Sequence, residues 1–307
     1  MGQKKFSILI TSKNRLSDLI FTLEKCAGIL YRPDVTCIIC DDGSTDGTFS
    51  YVKSNYPNVT IFRNDFSKGL IYSRNRLMAM TTTEYAISID DDLHIISEDP
   101  LDIIEKYFTS HPDCAVISFR VFWGKKSPDS SFSDDSAKRV QSFLGGAHAW
   151  RMSDWSQIPE YPSWFMFHGE EDFISYNLFK IKKEVHYVPA IFAHHRVDIR
   201  ERKNDRDYAI RLRRSLRSGW YLYWMFVPLR KVPKKMAYSL WIQFKLKVLK
   251  GDYRALIAIV GALVDLILSS RKIYNNSNRL TNKEYELFQQ LPSAVIYWTP
   301  QILKSNL

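Results

Sequence analysis

Acidic residues are scarce in the last third of this 307-residue chain. Residues 200–307 hold 7 Asp and Glu against 21 Lys and Arg, whereas residues 1–199 hold 26 against 22. The imbalance predicts two surfaces with two tasks: an acidic half able to hold metal and a basic half that seeks an anionic partner. Cysteine is scarce as well. Cys26, Cys37, Cys40 and Cys114 show no framework spacing, which excludes a disulfide-stapled secreted scaffold. Cys37 and Cys40 form a C-x-x-C, but "VTCIICDD" reads as a strand, where residues three apart face opposite ways, and no second pair completes a zinc site. Buried, reduced thiols of a cytosolic protein are expected. Also missing is any apolar run of the roughly 20 residues that a membrane span needs. The longest, "GWYLYWMFVPL" (219–229) and "ALIAIVGALVDLIL" (255–268), fall short, and the second contains Asp265. The apolar stretch of "MGQKKFSILI" is only a strand long and lacks a small-residue cleavage site, so no signal peptide is expected.

What is present is an alternation of strand and helix signals. "FSILITS" (6–12), "DVTCIICDD" (34–42), "NVTIFRN" (58–64) and "EYAISID" (84–90) read as strands separated by helical patterns. This is the signature of βαβ units and of an α/β fold with a parallel sheet covered by helices on both faces. In such sheets ligands bind beyond the carboxyl ends of the strands, and the polar residues cluster there: Thr11–Arg15, Asp41–Thr45 and Asp90–Asp92. A helix over 97–110 and a strand over 114–123 follow. The segment 124–139 reads as a mobile loop, and from Tyr208 to about Ser270 the pattern turns helical, aromatic and basic.

Five constellations carry chemistry. Asp90, Asp91 and Asp92 end a buried strand, and adjacent carboxylates suit Mg²⁺ or Mn²⁺, hard cations commonly shared with a bound diphosphate. Asp90 and Asp92 point to one face of that strand and Asp91 to the other. "CDDGSTDGT" (40–48) is a tight turn into a helix, with an Asp free to accept from a base or ribose. In "NDFSKGLIYSRNR" (64–76), Gly69 permits close backbone approach and Arg74 can reach phosphate. "GEEDF" (169–173) offers Glu170, Glu171 and Asp172, one of which can serve as general base with its pKa raised by aromatic neighbours. "AHHR" (193–196) offers an imidazole, His194 or His195, as a third metal ligand.

The order "ILITSKNR", "CDDGSTDGT", "KGLIYSRN", "SIDDDL", "GGAHAWR", "GEEDF", "AHH" resembles the family 2 glycosyltransferases of GT-A fold, over about residues 6–196. The resemblance implies a metal-dependent, inverting, hexosyltransferase-like enzyme that moves a sugar from a nucleotide diphosphate donor, most commonly a UDP-sugar. It implies that Thr11 lines the nucleoside pocket and Asp42 binds the base. Arg74, with Arg15 and Gly69, would lie against the donor, and Asp90 and Asp92 would hold the cation. Asp91 would face the ribose and donor sugar, and Gly145 and Gly146 would sit against that sugar. Glu171 falls where the family places its base, with Asp172 the neighbouring alternative, and His194 or His195 falls where many members bind metal. Lys13 and "FISYNLF" depart from the family's usual aromatic and Arg-containing versions.

A GT-A catalytic domain over 1–199 and a helical C-terminal region over 200–307 are expected. Residues 200–250 carry 15 Lys and Arg against 3 acids, interleaved with Trp and Tyr. That composition fits helices lying on an anionic leaflet, and the resemblance implies a cytoplasmic protein, peripheral on the inner face of the cell membrane. The resemblance adds a glycan or polyprenyl-linked glycan acceptor and a setting in bacterial surface polysaccharide synthesis. No nucleic-acid module accompanies "RLRRSLR", so nucleic acid is not an expected partner. A metal-dependent nucleotidyltransferase would share the crevice but leave Glu171 and the histidines without a task. A non-catalytic membrane-associated protein of the same fold is the other alternative.

Overall fold

The structure, a computed structural model, describes residues 4–197 and 208–299. The boundary expected at 199/200 and the start of the basic stretch lie outside the described residues. A nine-stranded mixed sheet forms the frame. Its strands are β1 (Phe6–Ser12), β2 (Val35–Asp41), β3 (Val59–Arg63), β4 (Tyr85–Asp90), β5 (Leu93–Ile95), β6 (Cys114–Trp123), β7 (Lys138–Val140), β8 (Ala147–Arg151) and β9 (Glu184–His195). Between them run α1 (Leu16–Lys25), α2 (Ala27–Leu30), α3 (Thr48–Asn55), α4 (Leu70–Met80), α5 (Pro100–Ser110), α6 (Met152–Trp155) and α7 (Glu170–Lys180). The C-terminal region is α8 (Tyr208–Phe226), α9 (Val232–Leu246), α10 (Tyr253–Leu268), α11 (Ser270–Asn275) and α12 (Asn282–Gln290).

The strand order is β3-β2-β1-β4-β8-β6-β9-β5, with β7 on β9. β1 is buried along its whole length because parallel neighbours β2 and β4 flank it and helices cover both faces. The parallel half matches the expectation; β8, antiparallel to both β4 and β6, makes the sheet mixed. Cys37 and Cys40 fall into two different core clusters, on opposite faces of β2 as their spacing requires, and all four thiols are free and buried.

Each strand delivers its polar residues to one end. Register pairs Thr11 with Asp90 across β1 and β4. There the loops are stitched together: the Asn14 backbone N–H donates to Ser44 Oγ, the Thr45 N–H donates to Asn14 Oδ1, and Asp46 accepts from the Leu16 and Thr48 N–H groups that open α1 and α3. One carboxylate thus satisfies orphan donors of two helices.

The apolar run 219–229, too short for a membrane span, is mostly core, with Trp224 and Leu229 left exposed. Trp220, Tyr221, Leu222, Met225, Phe226 and Val227 are buried. Phe226 packs on Phe173 and Tyr176 of α7, and Tyr221 on Phe165. Burying each such side chain stabilises by roughly 1.5–3 kcal/mol, so α8 is welded to the sheet's second core layer. Asp265, the charge within the apolar 255–268 run, sits on the inner side of α10, where Arg213 and Arg217 of α8 clamp it.

Candidate active site

A cleft of about 860 Å³ opens at the carboxyl ends of β1 and β4. It is lined by Thr11, Arg15, Asp42, Gly69, Arg74, Asp90, Asp91 and Asp92, by Gly145 and Gly146, and by Glu171, Asp172 and His195. His194 is the exception and a correction. Adjacent residues of a strand face opposite ways; His194 turns its Nε2 to the Gly124 carbonyl at 2.6 Å and packs against His94 and Phe122. His195 turns to the aspartates.

Asp90, Asp92 and His195 form the group of metal-ligand type: one donor atom from each lies within 4.8 Å of the others. His195 Nε2 is 2.8 Å from Asp92 Oδ1 and 3.9 Å from Asp90 Oδ2. Asp92 Oδ1 is buried and no other donor reaches it. Two carboxylates and an imidazole with converging donor atoms suit a divalent cation such as Mn²⁺. β9 is held at the right height because the Arg196 N–H donates to the Asp92 carbonyl. Burial works against the Asp92 charge, but the His195 imidazole and Arg15 outweigh it and hold the carboxyl well below the usual range.

Asp91 points the other way as expected, although the strand ends at Asp90 and a turn at 91–92 sets the orientation. It accepts from Ser12 Oγ at 2.8 Å and Arg15 Nη1 at 3.0 Å, and burial pushes its pKa up to about 7. Arg15 spans the pair, with Nη2 on Asp92 Oδ2 at 2.6 Å. It serves the carboxylates rather than standing free for a donor.

Asp42 and Arg74 lie on the cleft with other tasks than a direct grip on base or phosphate. The Asp42 carboxylate accepts from Asn64 Nδ2, Ser67 Oγ, the Lys68 and Gly69 N–H groups and Ser73 Oγ. These donors overcome burial and lower its pKa; its acceptor capacity is spent fixing the 64–69 loop that opens α4. Arg74 is 5% exposed. Its Nη2 donates to Asp90 Oδ1 at 3.1 Å and the Gly145 carbonyl at 2.7 Å, and its Nη1 donates to Glu170 Oε1 at 3.1 Å. Arg74 is the strut between the metal-ligand aspartates and the head of α7.

That head carries three carboxylates in its first turn, where the helix dipole favours negative charge. Met166, His168 and Gly169 before it all adopt positive φ, a bend that costs of order 1–3 kcal/mol at each non-glycine position. Glu170 is buried on Arg74. Glu171 opens onto the cleft with 23% of its side chain exposed. Burial and the neighbouring Glu170 carboxylate raise its pKa well above the ordinary range, with Arg74 opposing. Gly145 and Gly146 permit this approach: a Cβ on Gly145 would lie 1.9 Å from Glu171 Oε1, and one on Gly146 2.7 Å from Asp90 Oδ2.

Several lining residues carry no signal in sequence. Trp123 closes one side against His195, and Tyr297 stacks on it. The segment 292–299 returns to the sheet, with the Gln141 N–H on the Pro292 carbonyl and the Trp298 N–H on the Val121 carbonyl, and places Ala294 and Ile296 on the cleft. Arg214 reaches it from α8.

A nucleotide-binding sheet with an acidic metal group at the end of β4 and a carboxylate-bearing helix beside it is the architecture of a GT-A glycosyltransferase. Three solved structures share it: S. aureus TarS residues 1–349 with UDP-GlcNAc (15% identity, 89% of this chain and 84% of that one, TM-score 0.58), GalNAc-T7 with UDP, GalNAc and Mn²⁺ (15%, 73% and 48%, 0.56), and the mannosyltransferase PcManGT of Pyrobaculum calidifontis with GDP-Man and Mn²⁺ (14%, 94% and 84%, 0.54). This chain spans about half the length of GalNAc-T7. No curated protein matches it. The family described as Glycosyl transferase family 2 matches residues 7–168, and the chain belongs to that family.

Proposed function

We propose that the protein is an inverting glycosyltransferase that moves a sugar from a nucleotide diphosphate donor, a UDP-sugar in the first instance, to a hydroxyl of a glycan or lipid-linked glycan, in the building of a bacterial surface polysaccharide. The observation that carries this reading is the pairing of the Asp90–Asp92–His195 group with Glu171 on one cleft, joined by Arg74. The UDP-GlcNAc and GDP-Man held by two of the structural relatives, and the UDP and GalNAc held by the third, support the donor class.

Asp90, Asp92 and His195 would hold the cation, which when bound neutralises charge on the departing diphosphate. Thr11, at the end of β1, and the 64–69 loop fixed by Asp42 shape the nucleoside end of the cleft. Gly145 and Gly146 leave room for the donor sugar. Glu171, with its raised pKa, takes the proton of the acceptor hydroxyl as its oxygen attacks the anomeric carbon, and a single in-line displacement inverts that centre. Arg214 is the cleft's cation on the C-terminal side, placed for an anionic group of the acceptor. Release of the nucleoside diphosphate from a panel of UDP-, GDP- and dTDP-sugars tests the reading. Turnover of one nucleotide class by the wild type and its loss in Glu171→Gln are expected; full turnover in Glu171→Gln removes the assigned base.

A further inference from the structure

We propose that the exposed faces of α9 and α10 seat this protein on an anionic lipid bilayer. Sequence composition places the membrane-seeking character across 200–250, but packing divides that stretch. α8 spends Trp220, Tyr221 and Phe226 on the protein core, whereas α9 buries only Val232. α10 is apolar on both sides. Ala255, Ala258, Ile259 and Ala262 pack inward, and Leu256, Ile257, Val260, Val264, Ile267 and Leu268 stand exposed at helical spacing. Ile267 and Leu268 are 72% and 77% exposed. Beside it α9 exposes Tyr238, Trp241 and Phe244 at i, i+3, i+6. Two touching helices with exposed apolar stripes are more than the scattered apolar residues of an ordinary surface.

Charge identifies the occupant. Residues 229–275 hold ten Lys and Arg and two Asp. Both aspartates are engaged within the protein, Asp252 by the Tyr208 hydroxyl and the Ala255 N–H, Asp265 by Arg213 and Arg217. Arg230, Lys234, Lys245, Lys250, Arg254 and Arg271 are exposed around the apolar stripes. A second copy of the chain meeting the same face across a twofold axis would bring these cations against one another. An anionic leaflet complements them and takes the apolar side chains into its acyl boundary, with Trp241 and the tyrosines at headgroup level. α10 lies on the membrane: its 16 residues rise about 24 Å, short of the roughly 30 Å hydrocarbon core, and one of its sides is occupied by α8. Among the described residues no helix is long and apolar enough to cross a membrane.

The test is co-sedimentation of the full chain with phosphatidylglycerol/phosphatidylcholine vesicles and with phosphatidylcholine alone. The wild type should partition onto the anionic vesicles at least about tenfold better than onto neutral ones. The double variant Ile257→Glu/Ile267→Glu should lose at least about tenfold of that binding, with its thermal unfolding and nucleotide binding unchanged. Brominated lipid should quench tryptophan fluorescence in the wild type, a readout independent of whether the variant folds. Three results would overturn the proposal: no vesicle binding or quenching by the wild type, undiminished binding by the double variant, or a wild-type dimer that the double variant converts to monomer.

Discussion

Asp90–Asp91–Asp92 and Glu170–Glu171–Asp172 are both three carboxylates in a row, they line one cleft, and they are held in opposite ways. The first row leaves a strand at Asp90 and turns at Asp91–Asp92, and its members part: Asp90 and Asp92 turn to His195, and Asp91 turns to Ser12 and Arg15. Cationic and imidazole partners keep Asp92 charged. The second row opens a helix, and Glu171, partly open to the cleft, has no cation in hydrogen-bond contact. Arg74 Nη1 stands 4.0 Å away, and burial beside Glu170 favours the protonated form. The same residue chemistry thus gives a group that keeps its charge to bind a cation and a group whose affinity for a proton is raised. Secondary structure decides which is which, and Arg74 ties the two together.

The sharpest way to break that comparison is to neutralise one row at a time. Glu171→Gln should lower turnover by about 10²–10⁴-fold, the usual worth of a general base, while leaving nucleotide affinity within about twofold. Asp172→Asn should cost far less. If the two variants exchange these outcomes, the base is one residue further along α7. Removing the strut comes next. Arg74→Met should destabilise the fold by about 3–5 kcal/mol, because Glu170 is left buried and Asp90 half-buried without their cation; chemical denaturation measures it, and a loss under 1 kcal/mol would show that the rows stand independently. Gly146→Ala should cost about 1–3 kcal/mol, or displace Asp90 and weaken metal-dependent nucleotide binding, since its Cβ would press on Asp90 Oδ2.

The smallest effect concerns pH. Glu171 has a folded-state pKa above its unfolded value, so between the two the folded state binds more protons and stability falls as pH rises. Glu171→Gln removes this and should flatten that slope, slightly stabilising the protein at neutral pH while abolishing transfer. In the wild type, activity should rise with pH through the raised Glu171 pKa, because the deprotonated form is the base; a profile that does not rise with pH would count against it.

Much of this was legible in the chain. The strands declare themselves through apolar residues of strand length, the rule that ligands sit beyond strand ends points to Asp42 and Asp90 before any coordinates, and the family resemblance points to Glu171. The opposed facing of Asp91 against Asp90 and Asp92 is also readable, although a turn at 91–92 rather than the strand itself delivers it. The phase of β9 is not, and it decides that His195 and not His194 meets the aspartates. Nor does a sequence reveal how side chains spend their hydrogen bonds: Asp42 and Arg74 carry the right chemistry to touch a ligand, yet their partners lie within the protein. Arg214, Ala294 and Ile296 reach the cleft only through the packing of a helical region far along the chain. The same holds for the apolar runs 219–229 and 255–268, both too short to span a membrane. Most of the first packs on α7 and the core; the second has a face that no described residue covers.

The most direct measurement is a calorimetric titration of the wild type and of Asp92→Asn with UDP, GDP and dTDP, each with and without Mn²⁺. Metal-dependent binding of one nucleotide by the wild type, lost in a folded Asp92→Asn, is the expected result. Binding that ignores Mn²⁺, or that survives unchanged in Asp92→Asn, would contradict the assignment of the aspartate row to a donor-holding cation.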